Sequence, residues 1–175
     1  VTTFSSLILR TSGQDVNSTK LRDAFYAQIT KNEMNLDYME YRPCAVYING
    51  QYWGLYNLRE QEDENYISNH YGVSTESIDI IQKEGAVRSG SDESWEELLE
   101  YVKSHNLSDS DSYAYVSEKV DIEEFTDYII TEVFLCNPDT DNIKYWRSTD
   151  GDGKFRWLLY DLDISLMSES HTKNY

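Results

Sequence analysis

The sequence predicts an α+β fold, with two antiparallel hairpins set beside a helical core. Three observations carry this. Ala45-Val-Tyr-Ile48 and Tyr52-Trp-Gly-Leu-Tyr56 are β-rich runs joined through Asn49-Gly50, a dipeptide whose residues accept the positive φ of a tight hairpin turn. Trp95, Leu98, Leu99 and Val102, then Ile122, Phe125, Ile129 and Val133, recur at the three-and-four spacing of a helix face. Asn142–Arg147 and Phe155–Asp163, on either side of the Gly/Asp-rich turn 149–153, read as a second hairpin.

Residues 5–9 read as a strand and lead into the loop Arg10-Thr-Ser-Gly-Gln-Asp15. A helix is expected over 18–31, capped by Asn17 or Ser18, with Leu21, Phe25 and Ile29 on one face. After the 42–58 hairpin, a short helix at about 61–70 stops near Gly72, and 78–82 is a short strand. The stretch from Glu84 to Asp92, with Gly85 and Gly90, predicts a mobile loop. A helix over 92–105 follows, and Ser108–Ser112 caps another short one. Asp121 with Glu124 three positions on is a capping-box pattern, and the helix it starts must end before Pro138. Cys44 and Cys136 lack metal-ligand spacing and sit in apolar runs, which predicts buried free thiols. His70, His105 and His171 stand apart and are expected on the surface.

Charge narrows the function. Lys and Arg number 15 and Asp and Glu 32, a formal charge of -17. That field repels nucleic acid and anionic membrane, and no basic stripe offsets it. No apolar run approaches the roughly 20 residues of a membrane span. Metal cations and basic protein segments are attracted, although most of these carboxylates need no role beyond solubility. The chain has no signal-peptide pattern and opens directly on a strand, so it reads as a fragment excised at both ends.

The residues that suggest chemistry lie in 137–163. A buried helix delivers the chain into Asn137-Pro-Asp-Thr-Asp-Asn142, a loop dense in oxygen donors, and a strand then runs to Tyr160-Asp-Leu-Asp163. On a strand Asp161 and Asp163 face the same side, and carboxylates on a buried strand need positive compensation. This is the layout of a protein-kinase large lobe, where a loop Asp orients the substrate hydroxyl and an Asn and a strand Asp hold the metal. Mg²⁺ takes hard oxygen ligands and one or two carboxylates, a requirement that Asn142 and Asp163 meet. Lys144 could point the same way and meet a phosphate. By spacing alone a turn-forming role for Asp139, Asp141 and Asn142 competes with this reading. An EF-hand-like calcium loop is a weaker rival, because Ile143 stands where an oxygen ligand belongs.

Four segments, in order, resemble the CotH kinase-like proteins of spore coats and bacterial surfaces. They are Arg10–Asp15, Tyr41-Arg-Pro with Val46–Glu60, Asn137–Arg147 and Trp157–Asp163. The resemblance implies a divergent protein-kinase-like fold that uses ATP and Mg²⁺ to phosphorylate Ser or Thr of coat or surface proteins. It assigns Asp139 as the catalytic-loop aspartate, Asn142 and Asp163 as metal ligands with Asp161 as runner-up, and Lys144, Arg59 and Glu60 to the nucleotide. It implies a small-lobe-like part over 1–90 and a large-lobe-like part over 91–175, with catalytic loop 137–144 and metal strand 155–163. Two departures stand out: Asp141 replaces a usual Gly, and Ile164-Ser165 replaces an aromatic-Gly pair. A non-catalytic coat or surface module is the alternative, and a calcium-stabilised surface domain a third reading.

Overall fold

A computed structural model describes residues 4–166 except 32, 84 and 140. His171 and the end of the 91–175 part lie outside the described residues. The elements in order are β1 (Leu7–Arg10), α1 (Arg22–Thr30), β2 (Asp37–Tyr38), β3 (Tyr41–Ile48), β4 (Gln51–Glu60), α2 (Glu64–Tyr71), β5 (Ile78–Gln82), β6 (Ala86–Ser89), α3 (Glu93–Ser104), α4 (Ser110–Lys119), α5 (Ile122–Phe134), β7 (Lys144–Ser148) and β8 (Arg156–Leu159).

The strands form two sheets. One has the order β1-β4-β3 and is antiparallel throughout. Its hairpin turns at Asn49 and Gly50, with φ of 50° and 77°, as the sequence predicts. The other has the order β2-β8-β7-β5-β6, with only β2 and β8 parallel. The division expected at residue 90 does not follow the sheets, because β2, β5 and β6 pair into the same sheet as β7 and β8.

The five-stranded sheet is buried on both faces, and strand alternation sorts its side chains. Ile81, Tyr145, Trp157 and Leu159 face a core with Leu98 of α3, Val116 of α4 and Tyr128 of α5. Ile78, Ile80, Trp146 and Leu158 face Tyr66 and Ile67 of α2. This explains why Trp157, Leu158 and Leu159 of β8 are apolar in succession. Helix caps follow the expected chemistry: Asp63 starts α2, Gly72 ends it at φ 71°, and Asp109 starts α4.

Several expectations need correction. The 84–92 stretch is not all loop: Lys83 and Gly85, both at positive φ, carry the chain round into β6. Leu21, Phe25 and Ile29 face outward, Phe25 at 55% exposure, while α1 buries Asp23, Ala24, Ala27 and Thr30. The small residues let α1 approach closely, and a buried ion pair from Asp23 to Arg59 fixes its rotation. Neither Asn17 nor Ser18 caps it. Instead Asp15 accepts the N–H groups of Thr19, Leu21 and Arg22.

Helix α5 is rotated too. Ile122 and Phe125 pack on the core, but Ile129 and Val133 are exposed. The capping box is half formed: Asp121 accepts from Glu124 N–H, yet the Glu124 carboxyl turns inward. Both of its oxygens accept the Trp157 N–H, at 3.0 and 3.1 Å, which holds the inner face on Glu124, Tyr128 and Thr131. Cys44 and Cys136 are free and half-buried. His105 is exposed, and His70 binds Glu60.

Candidate active site

The end of β1, the turn after α5 and the segment after β8 meet at one point. Helix α5 ends where Cys136 takes φ 46° and Pro138 bars another helical turn. Asn137 is buried, and its Oδ1 accepts the Asp139 N–H at 3.3 Å. Asn142 closes the turn, its N–H donating to the Asp139 carbonyl. The Asn142 Nδ2 then donates to Asp139 Oδ2 at 2.9 Å and to Asp161 Oδ2 at 2.7 Å. Thus Asp139, Asn142 and Asp161 share one amide.

Asp161 and Asp163 do converge, though not as strand residues. Strand β8 stops at Leu159, and Asp161 takes φ 59°, a left-handed conformation that Asp tolerates better than most residues. Arg10 joins the two carboxylates. Its Nη2 binds Asp161 and lies 3.2 Å from Asp163 Oδ2. The Gln14 backbone N–H adds a 2.7 Å hydrogen bond to Asp163. Behind them, buried Asp23 binds Arg59, lies 3.8 Å from Arg10, and accepts the Leu162 N–H at 3.1 Å. Burial pushes the Asp163 carboxyl above its ordinary value and Asp161 adds to this, against the pull of Gln14 N–H and Arg10.

The loop whose role the sequence leaves open therefore cradles Asp163. Gly13 sits at φ 56°, and a Cβ there would lie 1.9 Å from Asp163 Oδ2 and 2.9 Å from Arg10 Nη2. Gly13→Ala is expected to cost about 2 kcal/mol from left-handed strain and displacement. In a chain of this size that is a fall of roughly 4–8 °C in melting temperature, measurable by calorimetry. An unchanged melting temperature would show that the cradle does not hold the aspartate.

A cleft of about 410 Å³ opens beside this cluster, between the two sheets, with Arg10, Glu62, Gln82, Arg88, Lys144 and Tyr160 on its walls. Such a volume suits a small ligand. Arg88 donates to Gln82, and Gln82 donates to the Tyr160 hydroxyl at 3.1 Å. Lys144 Nζ lies 4.4 Å from the Tyr160 ring centre and 3.3 Å from Glu62 Oε2. Glu62 Oε1 is buried without a hydrogen-bond partner among the described residues. Burial pushes its carboxyl up to about 7, against the pull of Lys144 and Arg59.

Lys144, Asn142, Asp139, Asp161 and Asp163 thus stand at or beside the cleft. Arg59 and Glu60 do not pair with each other. Successive strand residues point to opposite faces, so Arg59 goes to Asp23 while Glu60 takes His70 and the Glu40 N–H. The acid beside Lys144 is Glu62, in the β4–α2 connection, where no strand or helix period marks it. Trp53, 62% exposed, lies on the hairpin outside both the core and the cleft. Asp141 points to solvent near Lys83, so its extra charge stays outside the cluster.

Among the described residues, no three acids, histidines or cysteines form a ready-made metal cluster. The donor set still fits a hard divalent cation. Asp23, Asp139, Asp161 and Asp163 are four carboxylates facing two guanidiniums, Arg10 and Arg59, a formal excess of two negative charges. Asn142, whose amide nitrogen is fully used, leaves its carbonyl oxygen as a neutral ligand.

Among the described residues no helix is long and apolar enough to cross a membrane. No curated protein matches the chain. A family model described as CotH kinase protein matches residues 2–175, and with four motifs in order and their acids gathered at one cleft, the chain belongs to the CotH kinase family.

Proposed function

We propose that the chain belongs to an atypical protein kinase that transfers the γ-phosphoryl group of ATP to Ser or Thr hydroxyls of spore-coat or cell-surface proteins. The observation that carries this is the sharing of one amide by Asp139 and Asp161, next to a cleft walled by Lys144. Family membership supports it and supports a divergent kinase-like fold.

In this reading Lys144, held by Glu62 and Tyr160, meets the nucleotide phosphates. Asp139 accepts the proton of the substrate hydroxyl as its oxygen bonds to the γ-phosphorus and the bond to ADP breaks. Asn142, Asp161 and Asp163 are the residues that would hold Mg²⁺, which supplies charge neutralisation at the phosphates. Arg10 keeps the two aspartates together and oriented. A non-catalytic coat or surface module has one observation in its favour: Arg10 already bridges Asp161 and Asp163.

Thermal melting with Mg²⁺, Ca²⁺ and ATP, separately and together, separates the readings. With Mg²⁺ and ATP together at about 100 times Kd, binding adds about 2.7 kcal/mol, or roughly 5–10 °C. Asp163→Asn is expected to abolish most of that shift. No shift, with partner binding retained, favours the module, and a shift with Ca²⁺ alone favours a calcium-stabilised domain.

A further inference from the structure

Beyond Leu159 no strand or helix holds the described residues 160–166, yet Leu162 and Asp163 are buried there. The start of α1 supplies the missing support. Asp23 accepts the Leu162 N–H at 3.1 Å on one side of Asp163. On the other side Arg22 Nη1 donates to the Ser165 carbonyl at 2.7 Å. The Ser165 N–H closes back on the Leu162 carbonyl at 3.1 Å. The backbone that carries Asp163 is therefore a tight turn pinned at both ends by consecutive residues of one helix.

Arg22 is the half of this bracket with no role so far. It takes the first position of α1, where a cation opposes the helix dipole, so helix stability does not account for it. Asp15, only 2% exposed, sets its place. Asp15 Oδ2 accepts the Thr19 hydroxyl at 2.6 Å and the N–H groups of Leu21 and Arg22, both at 3.0 Å. Its Oδ1 accepts the Thr19 N–H at 3.1 Å and lies 3.5 Å from Arg22 Nε. That nitrogen is buried and makes no hydrogen bond among the described residues, so the Asp15 carboxylate is its counter-charge. Burial pushes the Asp15 carboxyl up, but the bonds from Thr19 and Arg22 hold it below its ordinary value. The residue before it, Gln14, places its N–H on the Asp163 carboxylate. One buried acid thus fixes both the loop that grips the Asp163 side chain and the guanidinium that pins its main chain.

We propose that Arg22, set by Asp15, is a positioning residue for Asp163, acting through the Ser165 carbonyl. Its consequence for Mg²⁺ and transfer rests on the phosphotransfer reading. Its geometry does not.

The test uses the whole chain with Arg22→Met, Asp15→Asn and the two combined. Met is an unbranched helix former and leaves the backbone N–H at 22 on Asp15, so the start of α1 survives. Asn caps as well as Asp and keeps one oxygen for the same N–H groups, but removes the charge that faces Arg22. Amide hydrogen exchange is followed without ligand. Arg22→Met is expected to speed exchange over 162–166 by about 10–100-fold, the loss of one charge-assisted hydrogen bond, and to leave 24–30 as in the parent. Asp15→Asn should speed the same stretch, and the double variant should add nothing to Arg22→Met. In turnover, Arg22→Met should raise the Mg²⁺ concentration for half-maximal transfer by about 10-fold, and excess Mg²⁺ should recover most of the rate, since it makes up for the poorer placing of Asp163. A merely weakened fold is not rescued in that way. Parental exchange over 162–166 in Arg22→Met, an equal rise over 24–30, or a loss of transfer that Mg²⁺ does not restore overturns the proposal. The expected exchange pattern in a parent that transfers no phosphate upholds the positioning role and removes the kinase reading instead.

Discussion

Asp139→Asn is expected to lower phosphoryl transfer from ATP by about 10²–10⁴-fold, the usual worth of a positioned general base, while the melting temperature stays within about 2 °C of the parent. Asparagine keeps the size of the side chain, so the 137–142 turn retains its backbone bonds. What it loses is a basic carboxylate. Its oxygen can still accept from Asn142, as Asp139 Oδ2 does at 2.9 Å, but cannot take up a proton from a hydroxyl near neutral pH. Single-turnover transfer of labelled phosphate to a protein substrate, with calorimetry on the same sample, measures both quantities. Parental transfer by the variant would remove Asp139 as the base and leave it as a turn residue, the competing reading of its spacing.

A stability effect of comparable size is expected at Glu124. Burial first, then Asp37 and Asp121, push its carboxyl up to about 9, against the Trp157 N–H and Arg156. The folded-state value lies above the unfolded one, so the folded chain holds the proton more tightly. Below about pH 4.5 both states are protonated and the group costs nothing. As pH rises from there towards 9, the unfolded state releases the proton first, and stability falls by up to about 1.4 kcal/mol per pH unit. Glu62 and Glu132, each raised to about 7 mainly by burial, tilt the curve the same way over the lower part of that range.

Glu124→Gln removes the largest of these slopes and keeps an oxygen for the Trp157 N–H. The amide nitrogen is a new buried donor that takes back part of the gain. At pH 8 the variant is expected to be more stable by about 2–4 kcal/mol, and this advantage should shrink as pH falls and be gone before pH 4.5 is reached, where only the cost of the new donor remains. Urea melts at pH 5, 6.5 and 8 check the sign. A variant less stable than the parent at pH 8 would mean that the acid is ionised in the fold.

What the sequence could and could not reveal divides by range. Asn49-Gly50, Gly72 and Asp121 act on their own neighbours, and each turns, stops or starts an element where the sequence places it. Strand β2 was not legible because it is two residues long and exists through pairing with β8, some 120 positions away. The outward stripes of α1 and α5 were misread because periodicity finds an apolar face without saying which neighbour claims the helix. Buried acids, Asp23 reaching Arg59 and Glu124 reaching Trp157, settled the rotation instead. At the site, motif order brought attention to Asp139, Asn142, Asp161 and Asp163. Arg10 was visible only as a motif residue, since its partners lie 151 and 153 positions away. Glu62 carried no local mark at all, and a pairing for Lys144 could be found only in three dimensions.

Arg10 belongs to one sheet, while the aspartates it grasps follow the last strand of the other. The guanidinium is therefore a latch across the cleft as well as a counter-charge. Any cation that draws Asp161 or Asp163 towards itself competes with that latch, so loading the cluster and loosening the two sheets share one free energy. By reciprocity, a partner that pries the sheets apart would sharpen the affinity for the cation by the same factor, and one that clamps them would blunt it.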